Sequence, residues 1–182
     1  KTTLAHQLQS GQIRIPDEAE INEQFLLTDR LLEKSGYTHY EISNYALPGF
    51  EAKHNSSYWS GRSYLGIGPA AHSYKNKVRS WNVSNNNAYT KLVNSNQPWF
   101  ESEELSEKDR FNEMIMTSLR VKKGLDINKL KKAFPSYYSE ELEKNIDLWT
   151  TNKLAIRNKN GVQLTLGGWL ISDKLASDVF VL

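Results

Sequence analysis

Apolar residues recur at helical spacing through the second half of the chain and thin into aromatic, Asn- and Gly-rich stretches in the first half. Ser106 and Asp109 form a helix-cap signature. Phe111, Met114, Ile115, Ser118 and Leu119 follow at a 3.6-residue period, with Gly124 as the stop. Asp126 caps a short helix through Leu130 and Phe134, halted by Pro135. Ser139 opens a third helix whose inward residues are Leu142, Ile146 and Trp149. Segments 154–157 and 162–166 flank Asn158-Lys159-Asn160-Gly161, and that Asn-Gly step predicts a hairpin. Thr165 caps a last helix over 167–177. Three helices, a hairpin and a helix predict a small winged-helix-like, mainly α domain over 101–182.

In residues 1–100 the pattern is different. Asp17 and Glu20 predict a capping box, after which Ile21, Phe25, Leu31 and Leu32 share one helix face until Gly36. Residues 37–43 alternate and are aromatic, which predicts a strand. Residues 64–71 predict a second strand, interrupted by Gly66, Gly68 and Pro69. The intervening loop, 44–63, is too long to be idle in a compact domain. Its aromatic content argues against disorder. Residues 82–87 read as a polar surface loop and 88–95 as a short helix. Helix, strand, loop and strand together give an α/β class.

Composition narrows the picture. With 182 residues, 38% hydrophobic and 24% charged, the chain suits one or two small globular domains. No apolar run approaches the ~20 residues of a membrane span. Cysteine is absent, which removes disulfides and thiolate metal ligands and predicts a reducing, cytoplasmic setting. The opening Lys1-Thr2-Thr3-Leu4 lacks Met and a signal-peptide pattern, and reads as a cut inside a longer chain. A net charge of +2 leaves no electrostatic footprint for nucleic acid. A DNA-binding winged helix is the distant alternative. Its groove-entering helix, however, would carry Glu140, Glu141, Glu143 and Asp147 against Lys144 alone, and phosphate would repel it.

Candidate chemistry concentrates in residues 37–74, which hold three of the four histidines and eight of the twenty aromatics. Flat apolar rings beside imidazoles are what a macrocycle site requires, since a neutral imidazole ligates haem iron axially. By chemistry alone such clusters are more often core than cofactor site. His39 and His6 have no further support and read as structural or solvated. Glu41 and Asn44 stand where a strand runs out into a loop, a common address for functional groups in α/β barrels. They could equally satisfy the loop backbone. Gly66 and Gly68 form a lone GxG without the rest of a phosphate loop. Close backbone approach at a strand end is the better reason for them.

Four pieces in fixed order carry a resemblance. They are Tyr40-Glu41-Ile42-Ser43-Asn44-Tyr45-Ala46, Pro48-Gly49-Phe50, His54-Asn55-Ser56-Ser57-Tyr58-Trp59, and Gly66-Ile67-Gly68-Pro69-Ala70-Ala71-His72. Together they resemble the radical-SAM haem chaperones of the HemW type, within the oxygen-independent coproporphyrinogen III oxidase group. Leu119-Arg120, Gly124-Leu125, Leu164-Thr165, Gly168 and Asp173 extend the resemblance into that group's C-terminal domain. It implies the C-terminal part of an incomplete (β/α) radical-SAM barrel over 1–100, followed by the C-terminal domain over 101–182. An unclosed barrel exposes strand edges, so self-association is expected.

The resemblance also implies roles. The HNxxYW motif stands here as His54, Asn55, Tyr58 and Trp59, with His54 implied as a haem-iron ligand. Tyr58 and Trp59 either stack on the ligand or anchor the loop. Gly66, Gly68, Ala71 and His72 are implied near S-adenosylmethionine. Oxidases of the group are expected to carry Arg in place of the motif His, so the implied function is haem binding and transfer to acceptor haemoproteins. The oxidase, which decarboxylates coproporphyrinogen, is the alternative. Its tetra-acid substrate calls for clustered bases, and residues 37–74 offer only Lys53 and Arg62. The implied [4Fe–4S] cluster needs thiolates, which this chain lacks, so the fragment alone is expected to be inactive.

Overall fold

The computed structural model describes residues 2–182. Its C-terminal part follows the amphipathic pattern closely. Helix α5 (Glu107–Leu119) opens on a reciprocal capping box between Ser106 and Asp109, and buries Phe111, Ile115 and Leu119. Asp126 caps α6 (Ile127–Ala133) through the Lys129 amide. Helix α7 (Ser136–Thr151) begins three residues before the expected Ser139, directly behind Pro135. Proline suits the start of a helix because its φ is already helical. Ser139 is therefore no cap: it is buried in the first turn, its hydroxyl donating to the Ser136 carbonyl at 2.7 Å.

Strands β7 (Ala155–Arg157) and β8 (Gly161–Leu164) form the expected hairpin. A short strand, β6 (Leu125–Asp126), adds to it in the antiparallel order β6-β8-β7. The single helix expected over 167–177 is two. They are α8 (Leu166–Leu170), capped by Thr165, and α9 (Ser172–Ser177), separated where Ile171 leaves helical backbone at φ −123° and ψ 24°. One apolar cluster runs from Phe111 to Val179 and includes Leu130, Leu142, Ile146 and Trp149. Each such side chain contributes about 1.5–3 kcal/mol on burial.

The N-terminal part is built differently. Helix α1 (Thr3–Gln9) is followed by α2 (Glu18–Lys34), which starts on the Asp17–Glu20 capping box. The expected apolar face of α2 is only half used: Ile21 and Leu31 stay about half exposed, at 48% and 54%, and the buried residue of the helix is Asp29. The strand expected over 37–43 turns back on itself as β1 (Thr38–Glu41) and β2 (Asn44–Ala46), with an irregularity between His39 and Glu41. The backbone then joins the two halves. Ile42 donates to the Arg120 carbonyl at 2.9 Å, and Lys122 to the Tyr40 carbonyl at 3.0 Å.

Two further expectations change. The stretch 44–63 contains a short helix, α3 (Lys53–Trp59), as well as β2. The strand expected over 64–71 does not form: Tyr64 alone bridges Tyr74, and the chain turns at 68–70, where Gly68 takes a positive φ of 102° and Ala70 one of 57°. The sheet begins at its end instead, as the meander β3 (His72–Lys75), β4 (Val78–Asn82) and β5 (Phe100–Glu104). Helix α4 (Asn86–Asn94), capped by Asn85, crosses between β4 and β5. Among the described residues every strand pairing is antiparallel, so these strands do not themselves form β/α barrel repeats. Among the described residues no helix is long and apolar enough to cross a membrane.

Candidate functional site

His54 and Tyr58 lie one turn apart on α3, the spacing at which helical side chains meet. The imidazole Nε2 and the Tyr58 hydroxyl are hydrogen-bonded at 2.9 Å, and the rings meet edge to face at 4.8 Å. Tyr58 in turn meets Tyr64 at 4.4 Å, and Tyr64 lies 6.2 Å from Tyr74 on β3. Burial, and then the neighbouring Tyr58, push the Tyr64 hydroxyl up from its ordinary range. The row of rings fastens α3 to the meander, while the His54 imidazole at its head remains exposed. Phe50, Leu65 and Ile67 lie close to this row in sequence and are far more exposed than large apolar residues usually are in a packed interior.

The other flank of α3 faces the C-terminal part. The Arg120 guanidinium lies over the Trp59 ring at 5.7 Å and donates through Nη1 to Asp173 Oδ1 at 2.9 Å. Such cation–π contacts contribute about 0.5–2 kcal/mol. The contact ties α3 to the end of α5. Asn55, one turn before Trp59, is half-buried.

The segment proposed from sequence to face S-adenosylmethionine is held mainly by its own chain. A Cβ on Gly66 would come within 2.1 Å of the His72 carbonyl oxygen, so Gly is needed for close approach, as its position at a strand end implied. The Gly66 amide donates to Ser73 Oγ at 2.9 Å. Asn82 donates to the carbonyls of Gly68 at 2.9 Å and Gly66 at 3.4 Å. Reading 82–87 as plain surface loop was wrong for Asn82, which is buried at the end of β4. A lone Asn in a polar run gives no sequence signal for such a clasp. Ala71 is half-buried and pairs with Asn82 through its carbonyl, whereas His72 is exposed and lies 6.4 Å from the Trp81 ring.

Glu41 and Asn44 do come together, the Asn44 amide donating to the buried Glu41 carboxylate. They sit at the β1–β2 turn. His39 is structural. It is 2% exposed, with Nδ1 bonded to Asp29 at 2.8 Å and its ring stacked on Tyr45 at 4.0 Å. Among the described residues no three His, Asp or Glu side chains gather to hold a metal ion. Iron at His54 would therefore have to arrive already held in a macrocycle. Two surface hollows lie elsewhere. One, of about 400 Å³, includes Arg79, Asp109 and Asn112 in its wall, and the other, of about 560 Å³, includes Lys131, Ser139 and Lys144.

Residues 105–171 match the HemN C-terminal domain family. The solved coproporphyrinogen III oxidase HemN from Escherichia coli, a radical SAM enzyme, superposes with a TM-score of 0.63 at 19% identity, over 86% of this chain and 40% of that one. The fold is thus mixed α/β, of the kind found in that enzyme. In sequence, the heme chaperone HemW of Lactococcus lactis is 31% identical over 183 residues, covering 98% of this chain and 46% of that protein. The heme chaperone HemW of Mycobacterium tuberculosis is 33% identical over 130 residues, covering 71% of this chain and 33% of that protein. The chain belongs to the HemW-type family of radical-SAM haem chaperones. It spans less than half the length of these curated relatives.

Proposed function

We propose that this chain is the haem-receiving part of a protein that carries haem to acceptor haemoproteins, with His54 as axial ligand. The observation that carries this reading is the exposed imidazole at the head of the Tyr58–Tyr64–Tyr74 row. A ligating histidine is normally oriented by a partner on its other ring nitrogen. Tyr58 supplies that partner at Nε2 and leaves Nδ1 for iron. The exposed rings and apolar side chains around α3 suit a flat macrocycle. His54 would hold the haem through its imidazole, and the bound haem would supply the iron.

The division into 1–100 and 101–182 belongs to the same reading, with α2 and β1 as the end of a barrel and α5 to β8 as a winged-helix-like unit. Three helices and the three-stranded β6-β8-β7 sheet support the latter. S-adenosylmethionine fits this chain only in part: Gly68, beside which a Cβ would meet nothing, and the exposed His72 are available to it. Gly66 is taken up by its contact with His72. A [4Fe–4S] cluster does not fit, because its ligands are thiolates and the chain has no cysteine. The likeness to the Escherichia coli oxidase is one of fold, and decarboxylation does not follow from it.

A haemin titration followed at the Soret band tests the site. Wild-type chain should give a shifted band, His54→Ala should lose that shift, and Tyr58→Phe should bind about tenfold more weakly. An unchanged spectrum and affinity in His54→Ala would remove His54 from the site.

A further inference from the structure

The charges of the chain are unevenly shared, and the imbalance falls on the segment that carries His54. Residues 52–100 hold six bases, Lys53, Arg62, Lys75, Lys77, Arg79 and Lys91, and none of the chain's 21 acids. Arg79 is neutralised by Glu103 and Glu113. The other five are exposed and, among the described residues, form no salt bridge. Three of them follow the row of rings: Lys53 precedes His54, Arg62 lies two residues before Tyr64, and Lys75 follows Tyr74. Phe50, Leu65 and Ile67 flank the same row in sequence and stay largely exposed. The acids nearest in sequence are Glu51, whose carboxylate accepts from the Gly49 amide at 3.4 Å, and those of β5. Strand β5 forms the edge of the meander opposite β3 and the rings.

Exposed apolar side chains among charges of one sign have the make-up of a protein-binding surface, with a centre that excludes water and a rim that selects the partner. Reading a nucleic acid groove would need the bases on one inserted element, and they are spread over α3, the β3–β4 turn and α4. Two copies meeting face to face would set base against base. We infer that the surface around the ring row is the docking face for the acceptor, and that the acceptor presents carboxylates around an apolar haem entrance. The inference rests on the haem reading above. Direct transfer requires the acceptor's haem site to meet His54, so bases beside His54 steer that encounter. Charges on a solvated rim speed association more than they tighten it, which suits a partner that must leave again.

Haem-loaded chain mixed with the apo form of a soluble cytochrome b5 domain, an acidic acceptor, tests the docking. Apomyoglobin, whose surface is near neutral, is the comparison. Transfer, followed at the Soret band, should quicken with acceptor concentration and slow about tenfold as salt rises from about 0.02 to about 0.2 M. Arg62→Glu combined with Lys75→Glu should slow it about tenfold at low salt, with haemin affinity and unfolding midpoint unchanged. Transfer to apomyoglobin should respond to neither change, and Lys132→Glu on α6 should behave as wild type. A rate independent of acceptor concentration and salt would mean that haem passes through water, and would overturn the face. An equal effect of Lys132→Glu would also overturn it, leaving only net charge. If the double variant instead loses binding to phosphatidylglycerol vesicles, or self-association in sedimentation, with transfer intact, the face belongs to a membrane or a second copy and the inference fails. Binding of labelled apo-acceptor to the unloaded chain keeps the two readings apart. Salt-sensitive binding that the double variant loses, without a Soret shift on adding haemin, would remove the haem site and leave the face.

Discussion

A histidine in a protein interior is tolerated when its nitrogens find partners, and His39 finds two. Nδ1 meets Asp29 at 2.8 Å and Nε2 meets the Ile42 carbonyl at 3.3 Å, while Tyr45 stacks on one face and Trp169 approaches edge-on at 4.4 Å. Because Trp169 also donates to the Leu119 carbonyl at 3.0 Å, the cluster pins α2 and β1 to the C-terminal core. Burial, and then the charge and hydrogen bond of Asp29, push the Tyr45 hydroxyl up to about 12. The unfolded chain releases this proton near 10. The stabilisation from neutral Tyr45 is therefore complete below about pH 10 and is lost as the pH rises through about 12. Tyr45→Phe should flatten the fall in unfolding free energy across that window, measured by urea titration at a series of alkaline pH values. An unchanged slope would place the loss elsewhere. The sequence left His39 structural or solvated and gave no sign of its partners. His39 sits in the same aromatic run as His54, and only the β1–β2 reversal sends one inward while α3 holds the other at the surface.

At the scale of elements, signals that act within one turn were read well. The Asp17–Glu20 and Ser106–Asp109 boxes and the Asp126 and Thr165 caps form as their spacing implied, because each closes over three residues. Strand pairing depends on distant partners and was read less well: β2, β4, β5 and β6 were missed, and 64–71 was placed one element early. The hairpin was expected for a reason that proved incomplete. Asn158 Oδ1 accepts from the amides of Asn160 and Gly161 at 3.0 and 2.9 Å, so the Asn side chain makes the turn. Gly161 serves space instead, since a Cβ there would lie 1.8 Å from the Leu125 carbonyl oxygen. Gly161→Ala should therefore force β6 off β8 and lower the unfolding free energy by about 1–3 kcal/mol, as overpacking does. Denaturant midpoints check this. A neutral result would mean that β6 contributes nothing to stability.

For the whole molecule, the distribution of the core decides which part carries the fold. The buried cluster lies entirely between Phe111 and Val179, with Phe25 and Ile42 packed onto it from the N-terminal side. The first hundred residues bury few large apolar side chains of their own, and Ile21, Leu27, Leu31, Phe50, Leu65 and Ile67 are all exposed. A segment that hides so little apolar surface does not offset the backbone entropy of ordering it. Residues 105–182 alone should therefore unfold cooperatively, while 1–104 alone should show no transition in circular dichroism or in denaturant. Exposed apolar surface of this kind also drives association. In sedimentation the full chain should associate, and 105–182 should remain a monomer. A cooperative transition in 1–104 would show that the meander and α2 stabilise each other without the C-terminal core. The Arg120–Trp59 and His39–Trp169 contacts would then be dockings between two finished units, whereas the burial pattern makes them the means by which one unit orders the other.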